Sequence, residues 1–247
     1  MNNLSVNNQR LTEPRRFLDN AMIALGPIIS VDRVEPYSAI AHMNLQPIAV
    51  MLQGAKAVAT AEVVGAMREQ LSPASIESFW RRLFPGEIPD RLLLAEPLEG
   101  NELKLEGHKL VVVNAGRTDT AHSTCLYVPS IGLIVGGDAV YNGIHPYLSE
   151  TDTGSRLEWI STLDKLEALK PKAVVAGHKV PENDDDPRII AETRQYLRDF
   201  NRLNTTTTTA RQLYDAMLEI YPDRVNPGSL WGAANAAKEQ AGKVIAL

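Results

Sequence analysis

Three short runs of apolar, mostly β-branched residues, each followed by glycine and a polar side chain, constrain the fold of this chain most strongly. They are Val111–Val113 before the stretch Gly116–Ser123, Leu133–Val135 before Gly136-Gly137-Asp138, and Val174-Val175 before Gly177-His178. Catalytic groups often sit where strands end, because the sheet fixes the backbone while the loop exposes the side chain. The pattern therefore predicts a sheet whose functional groups lie where these three strands end.

The order of predicted elements indicates one layered α/β or α+β domain. Two hairpins are expected, one from Asn101–Leu105 and Lys109–Val113, the other from Thr124–Val128 and Gly132–Val135. A helix capped by Ser155 and a buried strand at Ala173–Ala176 follow. Helices are then predicted near residues 187–202, 210–220 and 229–241, with the threonine run 205–209 as a joint between two of them.

Charge and cysteine content exclude several classes of protein. With 25 basic and 30 acidic residues, the net charge of −5 disfavours a nucleic-acid binder or a polybasic membrane patch. The single cysteine, Cys125, cannot form an intramolecular disulfide, and inside a predicted strand it is expected to be inert core. No apolar run is long enough to span a bilayer, and the first twenty residues lack the apolar core of a secretory signal. We expect a cytoplasmic protein with a small-molecule substrate or ligand.

The polar residues after the three runs are suited to binding a metal ion. A carboxylate and imidazoles that converge from neighbouring strand ends can hold a divalent cation such as zinc. Taken singly, each residue has an ordinary structural explanation. Asp138 could cap a turn, His178 could be a loop histidine whose ring is hydrogen-bonded, and His122 could face solvent. The order and spacing of the three junctions together favour a shared site.

The stretch from Leu110 to Pro181, with VVVNAGRTDTAHSTCLYVPSIGLIVGGDAVY and LKPKAVVAGHKVP, closely resembles the C-terminal half of metallo-β-lactamase-fold hydrolases. The tail, with NDDDPRIIAETRQYLRDF, resembles one branch of that superfamily that has extra C-terminal helices, and the resemblance covers roughly residues 55–240. It implies an αββα sandwich with one or two metal ions, usually zinc, at the sheet edge. In such proteins a metal-bound water loses a proton and attacks a carbonyl or phosphorus centre.

The resemblance implies metal-ligand roles for two residues and denies them to others. Asp138 matches the aspartate that bridges the two metals, and His178 matches the last histidine ligand. The family's His-x-His-x-Asp-His loop is absent, and the corresponding region holds only His42. Arg117 stands where the family has the histidine of Gly-His-Thr-Asp, and a guanidinium cannot coordinate a metal. His122, five residues later, is not at the ligand position.

Arg117 has two interpretations that the sequence leaves open. Its guanidinium could face Asp138 and replace the charge of a lost metal, or it could simply neutralise a leftover acid cluster. The residues expected to line a substrate pocket beside Asp138 and His178 are Arg117, Asp119, His122, Tyr141, His145 and Tyr147.

The N-terminal segment is the part least like the family. We expect a diverged or truncated segment over residues 1–54, a core over 55–186, and a helical extension of the same domain over 187–247. A diverged, metal-free paralogue and a truncated or mis-joined gene product both explain the shortened N-terminal part. A sandwich that lacks its first strands would leave an uncovered sheet, through which the chain could form a homo-oligomer.

The resemblance implies a hydrolase that ancestrally acts on a small ester, lactone, lactam or thioester through a metal-bound hydroxide. Because most ligands are missing, we expect a degenerate metal site with weak or absent zinc and weak or lost activity. The alternative is a non-catalytic homologue that binds a ligand or a partner protein.

Overall fold

A computed structural model describes residues 57–83, 85, 86, 88, 92 and 94–245 of the 247-residue chain. The expectations for the segments before residue 57, and His42 with them, lie outside these residues. No helix within the described residues is long and apolar enough to cross a membrane.

The fold is built on a five-stranded mixed sheet. Its strands, in the spatial order β3-β4-β5-β6-β7, pair antiparallel except for the parallel pair β6 and β7. They are β3 (Glu102–Leu105), β4 (His108–Gly116), β5 (Ser123–Val128), β6 (Leu133–Asn142) and β7 (Ala173–Lys179). Before them, β1 (Val58–Ala59) and β2 (Glu96–Pro97) form a separate parallel pair.

Helices flank the strands in sequence, and two of them pack on the five-stranded sheet. They are α1 (Ala61–Gln70), α2 (Pro73–Ser75) continuing through a π-helix (Ile76–Trp80) into α3 (Arg81–Leu83), α4 (Thr153–Ala168), α5 (Arg188–Thr206), α6 (Ala210–Ile220) and α7 (Pro227–Ile245). α4 and α5 pack on β6, and α4 also packs on β4. This arrangement places the largest apolar cluster between the sheet and the C-terminal helices.

Side-chain alternation along the strands produces two separate apolar clusters. Cys125, Ile134 and Val174 belong to the cluster beneath the helices, whereas their neighbours Leu126 and Val135 belong to a second cluster. Because successive residues of a strand point to opposite faces, the sheet contributes to a core on both sides. Cys125 is 3% exposed, as expected for a core residue, and burial raises its pKa to about 12.

The predicted elements are largely present, with corrections at their ends. Both hairpins are confirmed, and the α/β fold class is confirmed. Asp152, not Ser155, caps α4, and Ser155 completes the capping box from inside the helix. The strand expected to end at Val135 continues to Asn142 through shifts of register, so that Asp138 lies within β6 instead of after it. The threonine run is a joint only in its second half, because α5 extends to Thr206.

Candidate functional site

The parallel pairing of β6 and β7 brings Asp138 and His178 into direct contact. The register of the pair shifts between Gly137 and Tyr141, where Tyr141 lies opposite His178. Gly137 has φ +51°, a left-handed conformation that glycine adopts without strain, and it precedes the carboxylate. His178 Nε2 lies 3.3 Å from Asp138 Oδ1, and each side chain is 23% exposed. The two residues therefore share one site that solvent can reach.

Gly177 allows this close approach. A Cβ atom at this position would overlap the Asp138 carboxylate and would lie 2.9 Å from the carbonyl carbon of Gly137. A side chain here would push the two strands apart or displace the carboxylate. The glycine before His178 is thus required by the geometry of the site.

The charge of Asp138 sets the protonation of its histidine partner. Burial lowers the pKa of His178, but the hydrogen bond to Asp138 and the charges of Asp138 and Asp119 outweigh this effect and raise it above its ordinary value. The His178 ring also stacks on Tyr141, with ring centroids 5.2 Å apart. The imidazole is therefore held between a carboxylate and an aromatic face.

A second carboxylate, Asp119, is buried beside this pair and is only 4% exposed. Thr118 Oγ1 and the Thr120 backbone N–H donate to Asp119 Oδ1, at 3.0 and 2.8 Å. Tyr141 Oη donates to Asp119 Oδ2 at 3.2 Å. These hydrogen bonds lower the pKa of Asp119, but burial and the nearby charge of Asp138 outweigh them and raise it to about 7. The candidate site thus contains two carboxylates, of which one is nearly excluded from solvent.

Arg117 is half-buried and contacts the loop before α4. Its Nη2 atom donates to the Glu150 carbonyl oxygen at 2.8 Å. The pKa of Asp152 is lowered, first by the hydrogen bond from the Ser155 backbone and also by the charges of Arg156 and Arg117. This contact ties Arg117 to residues 150–152. Its role as a replacement for the charge of a lost metal stays a prediction.

The remaining pocket candidates lie in different surroundings. Tyr147 is 37% exposed and donates to Glu150 Oε1, while its backbone N–H lies close enough to the Tyr141 hydroxyl to lower the pKa of that group. His122 is exposed and has φ +61°. His145 is fully buried, and its Nδ1 atom lies 2.9 Å from the Tyr196 hydroxyl. The structure thus places Tyr147 beside Asp119 and Tyr141, and encloses His145 under the C-terminal helices instead of on an open surface.

The described residues do not fit a catalytic zinc centre. Catalytic zinc sites usually have three protein ligands, and Asp138 with His178 supplies two. Within the described part of the chain, no group of three His, Cys, Asp or Glu side chains is arranged to hold a metal ion. The metal-ligand roles of Asp138 and His178 therefore stay a prediction.

Sequence comparison agrees with this arrangement of strands. The sequence profile of the metallo-beta-lactamase superfamily matches residues 49–178, which is more than half of the chain and includes every strand from β1 to β6 and nearly all of β7. The chain belongs to this superfamily. No match is found among curated proteins.

Solved structures of the superfamily show the same fold. A metallo-beta-lactamase family protein from Thermus thermophilus is 20% identical and has a TM-score of 0.54, with 83% of this chain and 72% of that chain covered. A beta-lactamase domain protein from Burkholderia ambifaria is 17% identical and has a TM-score of 0.53, with 83% of this chain and 67% of that chain covered. At these identities the similarity is one of fold alone.

Two contributors to the site were missed by sequence reasoning. Thr118, 0% exposed, holds Asp119 and also lies 2.6 Å from Ser123 Oγ. Its position between Arg117 and Asp119 was a usable signal. Glu150 contributes a backbone carbonyl to Arg117, and no sequence pattern identifies a carbonyl acceptor.

Proposed function

We propose that this chain is a hydrolase-type member of the superfamily whose metal site has degenerated. The ancestral reaction is hydrolysis of a small ester, lactone, lactam or thioester, for which a bound zinc ion supplies a hydroxide near neutral pH. In this chain zinc is held weakly or not at all, and metal-dependent hydrolysis is weak or lost. The location we propose, from the single cysteine, is the cytoplasm.

One observation supports this proposal above the others. Arg117 occupies the position that the family resemblance gives to a histidine ligand, and it donates to the Glu150 carbonyl oxygen. A guanidinium stays protonated and has no lone pair to offer a metal. Its positive charge also repels a dication, and about 1.4 kcal/mol of repulsion weakens binding tenfold.

The structure also supports a second candidate, a non-catalytic homologue that binds a small ligand. Asp138 and His178 contact each other at 3.3 Å, and each side chain remains 23% exposed. The pair presents a carboxylate and an imidazole at a surface that solvent reaches. Such a surface can bind a polar molecule without reacting with it.

Elemental analysis of the purified full-length chain, combined with a hydrolysis panel, tests the proposal. The panel contains an ester, a lactone, a lactam and a thioester, each measured with added zinc and with a chelator. We expect well under one zinc per chain and no chelator-sensitive hydrolysis above that of Asp138→Asn. Stoichiometric zinc with chelator-sensitive turnover would overturn the proposal. Saturable binding of a panel compound without turnover would favour the second candidate.

A further inference from the structure

The loop after β6 connects the candidate site to the rest of the molecule. We call residues 143–152, between β6 and α4, the pocket loop. Its Tyr147 backbone N–H lies close enough to the Tyr141 hydroxyl to lower the pKa of that group, and its Glu150 carbonyl oxygen accepts from Arg117. Tyr141 in turn donates to Asp119. The position of the pocket loop therefore determines how Tyr141 and Arg117 are held.

A segment of the C-terminal extension runs along the pocket loop on its other side. We call residues 221–226, between α6 and α7, the C-terminal link. The Val225 N–H donates to the Gly143 carbonyl, and the His145 N–H donates to the Val225 carbonyl, both at 3.0 Å. These bonds form a parallel bridge between Ile144 and Val225. The loop is thus paired with the link as two short strands would be.

Arg224 adds a side-chain bond to this backbone pairing. Its Nη1 atom donates to the Ile144 carbonyl oxygen at 2.8 Å. Its guanidinium carbon lies 5.0 Å from the centroid of the Tyr196 ring and 5.3 Å from that of Tyr221. The Tyr221 hydroxyl is held in turn by Asp199, at 2.8 Å. Two aromatic contacts fix the direction of the guanidinium, so its hydrogen bond is preorganised.

We propose that Arg224 is a positioning residue that holds the pocket loop where Tyr147 and Glu150 make their contacts with the candidate site. The C-terminal extension then does more than cover the apolar core, because it fixes one wall of the site through the C-terminal link. This role is independent of whether the site binds zinc or performs hydrolysis.

Amide hydrogen exchange measured by NMR on the full-length chain tests the proposal. The informative amides are those of His145 and Val225 in the bridge and of Tyr147 beyond it. In Arg224→Met, which keeps the apolar stem but has no donor, we expect all three to exchange at least about tenfold faster. Arg224→Lys keeps one donor and should restore part of the protection. If the Tyr147 amide exchanges in Arg224→Met at the same rate as in the parent, the proposal is overturned.

A matched variant separates positioning from general loosening of the C-terminal helices. Lys238 in α7 donates to the carbonyls of Asn204 and Thr207, at 2.7 and 2.8 Å. Lys238→Met therefore removes an anchor of α7 without touching the pocket loop. We expect it to leave the Tyr147 amide protected, and an equal acceleration there in both variants would overturn the proposal.

Fluorine NMR reports on the part of the pocket loop that lies next to the candidate site. In protein labelled with 3-fluorotyrosine, the Tyr147 resonance is assigned by its loss in Tyr147→Phe. We expect this resonance to shift in Arg224→Met, to return towards its parent position in Arg224→Lys, and to stay in place in Lys238→Met. If Arg224→Met does not fold, Arg224→Gln takes its place, because its shorter side chain also loses the guanidinium, and an unchanged Tyr147 resonance and amide in that variant would overturn the proposal.

Discussion

His178 Nε2 lies 3.3 Å from Asp138 Oδ1, across the parallel pair β6 and β7. The hydrogen bond to Asp138 and the charge of that carboxylate raise the pKa of His178 in spite of its burial. A metal-ligand role for this pair stays a prediction, which variants of Arg117 and Asp138 test.

Arg117→His is expected to raise zinc affinity at least about tenfold, because it removes a fixed positive charge and restores an imidazole at the family's ligand position. Titration of the apo-protein with zinc, followed by calorimetry, measures the change. Arg117→Gln separates the two causes, since it removes the charge without supplying an imidazole. We expect Arg117→Gln to give only part of the increase in zinc affinity.

The increase in zinc affinity should depend on the Asp138 carboxylate. Adding Asp138→Ala to Arg117→His should abolish it, because the double variant again has two of three ligands. Zinc that binds tightly and stoichiometrically to the unmodified chain would contradict this prediction. That result would direct attention to His42, His122 or His145 as an additional ligand.

Gly177→Ala is expected to destabilise the fold by about 1–3 kcal/mol, because its Cβ would overlap the Asp138 carboxylate and crowd Gly137. Urea denaturation measures the loss. Gly65→Ala is the matched control, since this glycine lies in the middle of α1 and a Cβ there meets nothing within 4 Å. That substitution should stabilise by up to about 1 kcal/mol. Equal effects of the two substitutions would show that contact with Asp138 does not matter.

The elements that the sequence predicted well are those with strong local signals. α6 begins at Ala210 and ends at Ile220, as expected, because its apolar pattern and the polar run before it are local properties. The extension of β6 beyond Val135 could not be predicted, because Gly136 and Gly137 suggest a strand end. Pairing with β7 and a bulge keep the chain in the sheet there, and both depend on residues distant in sequence.

The contact between Asp138 and His178 was predictable because two strand-end signals coincided with a family resemblance. The direction of the Arg117 side chain and the enclosure of His145 were not predictable from the sequence. Arg117 finds a backbone acceptor 33 residues away, and His145 finds Tyr196 on α5, 51 residues away. Such partners depend on how helices dock on the sheet, which local patterns do not encode.

Self-association through a sheet edge is expected, since among the residues that the structure describes β3 pairs with β4 on one side and with no strand on the other. Edge strands expose unpaired backbone groups that another chain can bind. Light scattering after size exclusion, over a wide range of protein concentration, should show a mass that rises above that of one chain. A constant monomer mass over that range would contradict the expectation.

His145 is expected to make the fold less stable in acid. Burial, and then the positive charge of Arg224, lowers its pKa from 6.5 to about 4. The unfolded chain therefore takes up this proton first as the pH falls. The stabilisation from the neutral imidazole is fully present above pH 6.5 and is lost between about pH 6.5 and 4, by about 3 kcal/mol in all.

His145→Asn should flatten this part of the stability profile, because it removes the titrating ring while keeping a polar side chain near the Tyr196 hydroxyl. Urea denaturation at pH 7.5, 6.0 and 5.0 gives the free energy of unfolding of parent and variant. In the difference between the two, the contributions of the other titrating groups largely cancel. The variant should be destabilised most at pH 7.5, and the gap should narrow towards pH 5.0. His122→Asn, at an exposed position with φ +61° that asparagine tolerates, leaves the buried imidazole in place and should keep the parent's profile. A gap that stays constant with pH would show that His145 does not titrate across this range.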